Sequence, residues 1–468
     1  MKVSTSELKS WIIGGICFLI IPNIVFWILG ERIYLIRGIF VAEYFFIALL
    51  YPFVPARIFN LLWIVCALID LLFASTLLFF MDLGQMFEAA AGLQHFSFGQ
   101  IVKWVLLLSL FILVSWVMLW LLKKIDRKFH FLKPKKILTY LLVVLAIDLL
   151  SGANTLNMNA GHATFKIRKN VLSAPLLSVG FSIVRSFQKE RKWEVTPARS
   201  VAKEIFGVHP DTSSAERKQI LILVESWGLN KNDQLQSELT RSLNLVAEQK
   251  GYTINKGQTP YRYLTQIAEM REITGYLRTF SSVDSSFISK HSLFLVKQRQ
   301  GYHVIGLHAY SSGFYNRQKW WPSLGVQEMF FANEFSDLGL PFGGNPFFRG
   351  AEDTAIANWL MQRVSIQKDR KEFYHWVTLN THLPLLDRNS NEYKSFALRW
   401  KNQGIDPDIL QLSFQLREFF ENLSNAILRS DTRAHILLIG DHAPPFLDPA
   451  ARGAYDGNYV PYIELRPK

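Results

Sequence analysis

Hydrophobic residues divide the chain into two parts with different patterns. Up to residue 153 they form long runs with almost no charge, and beyond it short apolar runs alternate with polar stretches. A run of about 20 apolar residues can cross a bilayer as a helix. The first part, residues 1–153, therefore predicts a five-helix transmembrane bundle. Its spans are expected at about residues 11–30, 38–55, 58–81, 104–122 and 137–153.

Charged residues between the spans predict their orientation. Residues 123–136, KKIDRKFHFLKPKK, contain seven Lys or Arg and one Asp, whereas residues 82–100 contain neither Lys nor Arg. Basic loops remain in the cytoplasm. The N-terminus and residues 123–136 are therefore predicted to be cytoplasmic, and five spans place all later residues outside.

Three acids lie within the predicted spans: Glu43, Asp70 and Asp148. Charged groups are costly in the membrane and often mark a path for protons or a site for lipid headgroups. The alternative is that these carboxylates are bonded between helices or lie near span ends.

Residues 154–218 are predicted to connect the two domains. Residues 164–193 have basic ends and an apolar middle interrupted by Pro175. This composition favours a segment that lies in the membrane interface, and the alternative is a helix packed on the soluble domain. Residues 194–218 are polar, contain two prolines and are predicted to be a linker.

From residue 219 onward the pattern predicts alternating strands and helices. Such alternation is typical of an α/β domain with a mostly parallel, helix-covered sheet, and we expect it over residues 219–468. Strands are expected at residues 219–225, 252–255, 302–307, 373–379, 435–440 and 460–465. Helices are expected at residues 233–249, from Thr265 onward, and at residues 353–365 and 408–430.

Charge and cysteine content add little to this division. The net charge is +13, but the basic clusters flank apolar spans, which favours anionic lipid over nucleic acid as the partner. The two cysteines, Cys17 and Cys66, lie in apolar runs. The soluble domain therefore contains no disulfide.

Three predicted strands end in residues that can bind a metal. Glu225 follows ILILV, Asp441 and His442 follow HILLIG, and His382 follows the strand at residues 373–379. α/β proteins bind ligands at the carboxyl edge of the sheet, so we expect these side chains to lie close together. Glu225, Asp441 and His442 predict a divalent-metal site.

Thr265 precedes a stretch of helical character, IAEMREI. The free N–H groups and dipole of a helix N-terminus suit a phosphate or sulfate ester. The alternative is a threonine that only caps the helix, although Ala268 cannot complete a capping box.

These residues carry a resemblance to a known family. Over residues 219–468 the chain resembles the alkaline-phosphatase superfamily. Within it, the chain is most similar to membrane-bound lipoteichoic-acid synthases and phosphoglycerol transferases, often labelled sulfatase-like. The matching segments are VESWG, TQIAEMREITG, FYNR, TLNTHLP and GDH. Five preceding spans fit the same family.

The resemblance implies a metal centre with a threonine nucleophile. The implied metal ligands are Glu225, Thr265, Asp441 and His442. Thr259 in GQTP is a second candidate nucleophile, but the distance to Gly275 favours Thr265. The metal is expected to be Mn²⁺, with Zn²⁺ or Mg²⁺ as alternatives.

The same resemblance implies a substrate. Tyr315 and Arg317 would contact a phosphoglycerol group, and His382 would hold its phosphate or protonate a leaving oxygen. A threonine hydroxyl needs an activator, which a divalent ion can supply. The implied reaction moves phosphoglycerol from a membrane phospholipid, through a phosphothreonine, onto an extracytoplasmic glycan or glycolipid. The protein would be a multi-pass protein of the bacterial cytoplasmic (inner) membrane.

Three alternatives remain for the function. A phosphoethanolamine transferase would use phosphatidylethanolamine instead of phosphatidylglycerol, although the lipid A-modifying members tend to be rich in disulfides. A true sulfatase would resemble C/S-x-P-x-R around its nucleophile, where this chain reads LTQIAE. A non-catalytic lipid-binding sensor or scaffold would be expected to lose the threonine or the metal ligands, and all five motifs are present.

Overall fold

The chain divides into two compact units, Met1–Lys189 and Glu190–Lys468. In this computed structural model the described residues are 5–33, 38–79, 98–150, 171–176, 196–207, 217–261, 264–277, 287, 290–344, 348–383, 385, 390–446 and 448–468.

The described part of the N-terminal unit is mainly helical. Its helices are α1 (Thr5–Ile20), α2 (Ile24–Ile33), α3 (Ala42–Leu50), α4 (Ala56–Phe79), α5 (Phe98–Phe129) and α6 (Pro134–Leu150). Two short strands, β1 (Phe40–Val41) and β2 (Leu172–Ser173), pair in parallel.

Two of these helices are long and apolar enough to cross a membrane. Among the described residues these stretches are Ala56–Ser75 in α4 and Val105–Phe129 in α5. Along α5 large apolar side chains are exposed, including Leu106 at 64% and Leu113 at 56%. A continuous apolar surface of this kind marks contact with a membrane or another protein, and together with the length of the helix it supports membrane association.

The predicted bundle of five spanning helices is not confirmed within the described ranges. The span expected at residues 11–30 is divided between α1 and α2, with 16 and 10 residues. Pro22 lies in the turn between them. Proline has no N–H to donate, and its ring clashes with the preceding helical turn, so it interrupts a continuous helix. The span expected at residues 38–55 contains only the nine residues of α3. Neither α2 nor α3 alone reaches the length of a span.

The acids of the predicted spans bind polar groups within this unit. Asp148 Oδ1 accepts a hydrogen bond from the Leu172 N–H at 3.1 Å, and Glu43 Oε1 accepts one from the Leu176 N–H at 2.6 Å. The Tyr44 hydroxyl donates to a carboxylate oxygen of Asp70 at 3.4 Å. Backbone N–H groups in apolar surroundings need such acceptors. These contacts favour the alternative in which the carboxylates are hydrogen-bonded within the helical unit.

The predicted interfacial segment lies largely outside the described residues. Its described part, residues 171–176, contains β2 and is buried in the helical unit at Leu172, Ser173 and Ala174. A side-chain oxygen of Ser173 accepts a hydrogen bond from the Gly38 N–H at 2.7 Å. These residues therefore pack inside the unit, unlike a segment that lies on its surface.

The C-terminal unit is an α/β domain. Its strands are β3 (Thr196–Pro197), β4 (Lys218–Val224), β5 (Tyr252–Pro260), β6 (Tyr276–Leu277), β7 (His303–His308), β8 (Glu328–Phe330), β9 (Phe342–Gly343), β10 (Gly350–Ala351), β11 (Glu372–Val377), β12 (His435–Gly440) and β13 (Tyr459–Pro467). Its helices are α7 (Val201–Phe206), α8 (Asp233–Leu239), α9 (Ser242–Lys250), α10 (Thr265–Thr274), α11 (Leu293–Arg299), α12 (Arg317–Leu324), α13 (Ala332–Asp337), α14 (Asp353–Ile366), α15 (Asn391–Trp400), α16 (Pro407–Arg429) and α17 (Pro449–Gly453).

The main sheet has seven strands in the order β5-β13-β12-β4-β11-β7-β8. It is mixed, because β13 is antiparallel to both of its neighbours while the four pairings from β12 to β8 are parallel. Since β13 alone is reversed, β5 ends at the same edge as β4 and β12. The ends of six strands therefore face one edge of the sheet, where ligands of α/β proteins bind.

Central strands are buried on both faces, as their uninterrupted apolar sequences require. On one face Leu221 and Leu223 of β4 join a core formed with α7, α10, α11 and α12. On the other face α16 packs against α8, α9 and α14. All seven residues of β4 and all six of β12 are buried. This two-sided cover holds the carboxyl edge rigidly.

The prediction of a polar linker over residues 194–218 is wrong for α7. Val201, Ala202 and Phe206 of this helix are buried in the domain core. Ser200 caps the helix by accepting a hydrogen bond from the Lys203 N–H at 3.0 Å. Three apolar residues on one face are enough to bind so short a helix to a core. The polar composition of residues 194–218 as a whole does not reveal them.

Candidate active site

Two neighbouring strands bring three metal-binding side chains together. Glu225 directly follows β4, and Asp441 and His442 directly follow β12. Ligand atoms of the three lie within 4.8 Å of one another, and all three side chains are buried. His442 Nε2 is 3.2 Å from Asp441 Oδ2 and 3.5 Å from Glu225 Oε1.

Local hydrogen bonds fix the orientation of the carboxylates. Ser226 has a positive φ of 57°, which turns the chain so that its N–H donates to Asp441 Oδ1 at 2.9 Å and its hydroxyl donates to Glu225 Oε1 at 2.9 Å. Thr378 accepts from the Glu225 N–H at 2.9 Å, and the Thr381 hydroxyl donates to the Glu225 carbonyl at 2.5 Å. The loop after β11 thus holds the first predicted ligand in place.

Thr265 lies at the first position of α10 and points into this cluster. Its Oγ1 is 2.9 Å from Asp441 Oδ2, 3.3 Å from Glu225 Oε2 and 3.5 Å from His442 Nε2. Thr259, the second candidate nucleophile, lies within β5 with its hydroxyl buried and without a hydrogen-bond partner among the described residues. The geometry therefore favours Thr265 over Thr259 as the reacting hydroxyl.

The chemistry of this cluster fits a divalent cation. His442 Nδ1 lies 3.0 Å from the Ala443 carbonyl, so Nδ1 carries the hydrogen and Nε2 is left as a ligand. Burial and the charge of Glu225 raise the pKa of Asp441 to about 7. Burial opposes protonation of His442, but the two carboxylates raise its pKa above the ordinary value. Among the described residues, His442 is the only cationic partner of either carboxylate.

His382 lies in the loop after β11, beside the same edge. Asp353 holds this loop, because its carboxylate accepts hydrogen bonds from the N–H groups of Leu379 and Asn380 at 3.0 and 2.7 Å. His382 Nδ1 lies 2.7 Å from the Leu383 carbonyl, so the hydrogen is on Nδ1. Burial lowers the pKa of His382 to about 4. The side chain is therefore neutral at pH 7, and its Nε2 is a hydrogen-bond acceptor.

Arg317 is buried and begins α12. Its Nε and Nη2 donate to Glu269 Oε2 at 3.0 and 2.7 Å, while Nη1 has no hydrogen-bond partner among the described residues. Burial raises the pKa of the Tyr315 hydroxyl, Arg317 opposes this shift, and the carboxylates of Glu225 and Asp441 add to it. Tyr315 thus lies close enough to the metal-binding cluster for its carboxylates to affect the Tyr315 hydroxyl, and Arg317 lies beside Tyr315.

His308 is a further candidate that the predicted set does not contain. It ends β7, and its Nδ1 donates to the Val377 carbonyl at 3.2 Å. Its Nε2 is buried and has no partner in the described part of the chain. Burial and the charge of Arg317 lower its pKa well below the ordinary value. The strand-end rule that selects Glu225, His382 and Asp441 also selects His308, because it is the last residue of a buried strand.

Comparison with known proteins agrees with this fold. The sulfatase family model matches residues 219–463. A search of curated proteins finds no significant match.

Several solved structures are similar to the chain. The lipoteichoic acid synthase LtaP from Listeria monocytogenes is 17% identical, with 57% of this chain and 70% of that chain covered and a TM-score of 0.37. The phosphoglycerol transferase GacH from Streptococcus pyogenes, in complex with sn-glycerol-1-phosphate, is 16% identical, with 56% and 72% covered and a TM-score of 0.36. The lipooligosaccharide phosphoethanolamine transferase A (EptA) from Neisseria meningitidis is 14% identical, with 91% and 80% covered and a TM-score of 0.46.

The sulfatase match begins one residue into β4 and ends within β13. It therefore includes every residue of the cluster around Thr265 and extends over more than half of the chain. The chain belongs to the sulfatase family.

Proposed function

We propose that the protein is a membrane-bound, metal-dependent transferase that moves a phosphoglycerol group from a phospholipid to an extracytoplasmic glycan. One observation carries the proposal. The hydroxyl of Thr265 lies 2.9 to 3.5 Å from all three candidate metal ligands, at the N-terminus of α10. A hydroxyl in this position can be activated as a nucleophile.

The metal site would be formed by Glu225, Asp441, His442 and Thr265. A divalent ion bound there lowers the pKa of a neighbouring hydroxyl and offsets the charge of phosphoryl oxygens; Mn²⁺ is the proposed ion, with Zn²⁺ or Mg²⁺ as alternatives. Ser226 would hold both carboxylates in position, since it donates to each of them.

The reaction would proceed in two displacements at phosphorus. Thr265 Oγ1 forms a bond to phosphorus, the bond to the diacylglycerol oxygen breaks, and the hydroxyl proton ends on that oxygen. An acceptor hydroxyl then forms a bond to phosphorus, and the bond to Thr265 Oγ1 breaks. His382 is neutral with Nε2 as an acceptor, so it suits the second step, in which it would take the acceptor proton and return one to Thr265.

The surroundings of Arg317 favour phosphoglycerol over phosphoethanolamine. Its Nη1 can donate to a phosphate oxygen, and the neutral Nε2 of His308 can accept from a hydroxyl group. An ammonium group buried near the guanidinium of Arg317 would meet repulsion between like charges. A glycerol headgroup has no positive charge and is not repelled by Arg317.

The N-terminal unit is proposed to span the membrane five times, with α1 and α2 forming one interrupted span. The basic residues 123–136 would face the cytoplasm and the α/β domain would lie outside. Single cysteines introduced at the exposed residues 128 and 402 of a variant without Cys17 and Cys66 would test this. A membrane-impermeant maleimide applied to intact cells should label only the second position, and labelling of the first would overturn the orientation.

The donor can be identified with purified full-length protein in detergent micelles with Mn²⁺. Headgroup-labelled phosphatidylglycerol and phosphatidylethanolamine are supplied separately, and the intact mass of the protein is measured. We expect a glycerophosphoryl adduct on Thr265 from phosphatidylglycerol. If an adduct forms with phosphatidylethanolamine alone, phosphatidylethanolamine is the donor and the proposed donor is wrong.

Thr265→Ala is the control for this experiment. The variant should form no adduct yet bind Mn²⁺ in calorimetry, since the three other ligands remain. If wild type forms no adduct and Thr265→Ala keeps full function in cells, the protein is a lipid-binding scaffold on this fold and the proposed transferase is wrong.

A further inference from the structure

Glu269 connects the nucleophile helix to Arg317. It lies four residues after Thr265 in α10, so the two residues share one face of the helix, about 6 Å apart along its axis. Its carboxylate is fully buried and accepts four hydrogen bonds. Two come from Arg317 to Oε2, one comes from Trp321 Nε1 to Oε1 at 3.1 Å, and one comes from His375 Nε2 to Oε1 at 3.2 Å.

These contacts determine which donor of Arg317 is left. Nε and Nη2 both point to the same oxygen of Glu269. Nη1 is therefore the nitrogen that remains for an anionic ligand, and it has no hydrogen-bond partner among the described residues. The guanidinium also lies over the rings of Tyr315 and Trp321, at 5.2 and 5.9 Å. Its plane is thus fixed by Glu269 on one side and by two aromatic rings.

The backbone before Arg317 adopts an unfavourable conformation. Tyr315 and Asn316 both have a φ of 54°, which residues other than glycine rarely adopt. Such a conformation persists only where the surrounding structure enforces it. The ion pair between Arg317 and Glu269 and the hydrogen bond from Trp320 Nε1 to the Tyr315 carbonyl, at 2.7 Å, are among the contacts that hold it.

We propose that Glu269 is a positioning residue that fixes Arg317 relative to Thr265. The inference rests on the proposed function, because it assigns Arg317 to the phosphate of the same substrate. The helix that carries the attacking oxygen then also holds, through the carboxylate of Glu269, the donor to the phosphate. A change in either position of about 1 Å would reduce the rate about 100-fold.

A purely structural role makes a different prediction, and the domain contains a matched control. Lys218 and Glu372 form another buried ion pair, with Nζ and Oε2 2.6 Å apart and side-chain exposures of 1% and 0%. This pair lies at the opposite ends of β4 and β11 from the candidate site. Loss of Glu372 should affect folding as much as loss of Glu269 does. However, the hydrogen-bond partners of Glu372 in the described part of the chain, Lys218 and Tyr374, include neither Arg317 nor Glu269.

The test is a double-mutant cycle on the full-length protein. The variants are Glu269→Gln, Arg317→Ala, the double variant, Glu269→Asp and Glu372→Gln. For each we would measure the rate of adduct formation from labelled phosphatidylglycerol per folded molecule, the affinity for Mn²⁺ and the melting temperature. Glu269→Gln should lower the rate about 100-fold, with Mn²⁺ affinity unchanged.

Two results separate positioning from stability. In the Arg317→Ala background, Glu269→Gln should lower the rate of adduct formation by less than about threefold further, because the effects of two residues that act through one another are not additive. Glu269→Asp should retain part of the rate, and Glu372→Gln should retain all of it. Additive losses, or equal losses in Glu269→Gln and Glu372→Gln, would overturn the inference. If Glu269→Gln does not fold, Glu269→Asp replaces it in the double-mutant cycle with Arg317→Ala.

Failure of the proposed function can be told apart from failure of this inference. If wild type forms no adduct, the transferase proposal fails, and the cycle is then measured on the affinity for glycerol 1-phosphate. Glu269→Gln and Arg317→Ala should each weaken this affinity, again without additivity. If wild type forms the adduct and Glu269→Gln forms it at the same rate, only the positioning role fails.

Discussion

The two ends of β4 differ in how buried charge is compensated. At the amino ends of β4 and β11, Lys218 and Glu372 are partners in register, and their side chains form a buried ion pair. At the carboxyl ends of β4 and of its other neighbour, β12, Glu225 lies beside Asp441 and His442. The first end is neutral. The second carries two carboxylates and one imidazole, with no Lys or Arg paired to them among the described residues.

This difference shows how the domain separates stability from chemistry. A buried charge is costly unless it is paired and hydrogen-bonded. The amino end meets this requirement with Lys218 and Glu372, whereas the carboxyl end has His442 as its one cationic partner among the described residues and would be completed by the proposed metal ion. The same sheet therefore supplies a rigid base at one end and an incomplete site at the other.

The largest expected effect is at the incomplete end. Asp441→Asn should lower adduct formation at least about 1,000-fold, because a metal contributes several kcal/mol to the transition state. In wild type, Mn²⁺ at 100 times its Kd should stabilise the fold by about 2.7 kcal/mol, and the variant should lose this gain. Thermal unfolding with and without EDTA measures it. A variant that still gains stability from Mn²⁺ would contradict the assignment of Asp441 as a ligand.

The opposite result is expected at the amino end. Glu372→Gln leaves the buried ammonium of Lys218 without a counter-charge and should cost about 3–5 kcal/mol in the free energy of unfolding. Denaturant titration measures this cost. Replacing both partners, with Lys218→Met and Glu372→Leu, should restore most of the stability. A double variant as unstable as the single one would show that the pair does more than compensate charge.

The carboxylates of Glu269 and Asp441 should also respond oppositely to pH. Burial disfavours the charge of Glu269, but Arg317 and His375 lower its pKa from 4.5 to about 2, so its contribution to stability is full above pH 4.5 and is lost as the pH falls towards 2. The pKa of Asp441 is raised from 3.8 to about 7 in the metal-free protein. The folded state then binds the extra proton, and stability falls as the pH rises from 3.8 to 7.

Melting temperatures across this pH range, in EDTA, should therefore peak on the acid side of neutrality. Asp441→Asn should remove the decline towards pH 7, and Glu269→Gln should reduce the decline below pH 4.5. A metal-free wild type whose stability increases from pH 5 to 7 would contradict the raised pKa of Asp441.

The smallest expected effect concerns the residue that holds the two carboxylates. Ser226→Ala removes the hydroxyl that donates to Glu225 but keeps a side chain at the positive φ. We expect about 10-fold weaker binding of Mn²⁺, as for other partners of metal ligands. Ser226→Gly also relieves the backbone strain and should be more stable than Ser226→Ala at equal metal affinity. Equal melting temperatures of the two variants would show that the φ of Ser226 carries no cost.

The sequence predicts those parts of the site that follow from local pattern. β4 and β12 are uninterrupted apolar runs that end in acids or histidine, and such runs are typical of central strands. The long polar strand β5 is only partly predicted, because its residues pair with β13, about 200 positions later. Glu269 cannot be identified in this way, since its partners come from α12 and β11 and meet it only in the folded domain.

In the helical unit, too, the local sequence pattern does not predict contacts that form only on folding. Hydropathy detects the apolar runs, but it does not detect that Pro22 divides the first of them. Nor does it indicate that Asp148 and Glu43 bind the N–H groups of Leu172 and Leu176. From position alone these acids permit either a functional role or bonding between helices, and the structure gives each of them a backbone partner.

The parallel pairing of β1 with β2 has a consequence for biosynthesis. The Gly38 N–H is bound by Ser173, 135 positions later in the chain, and the Phe40 N–H is bound by the Val171 carbonyl. At roughly 5–20 residues per second, a ribosome needs roughly 7–27 s to make the intervening chain. The start of α3 therefore waits for its partners until α6 has been synthesised. A nascent chain that stops after α6 would leave these two donors without the acceptors that they have in the complete unit.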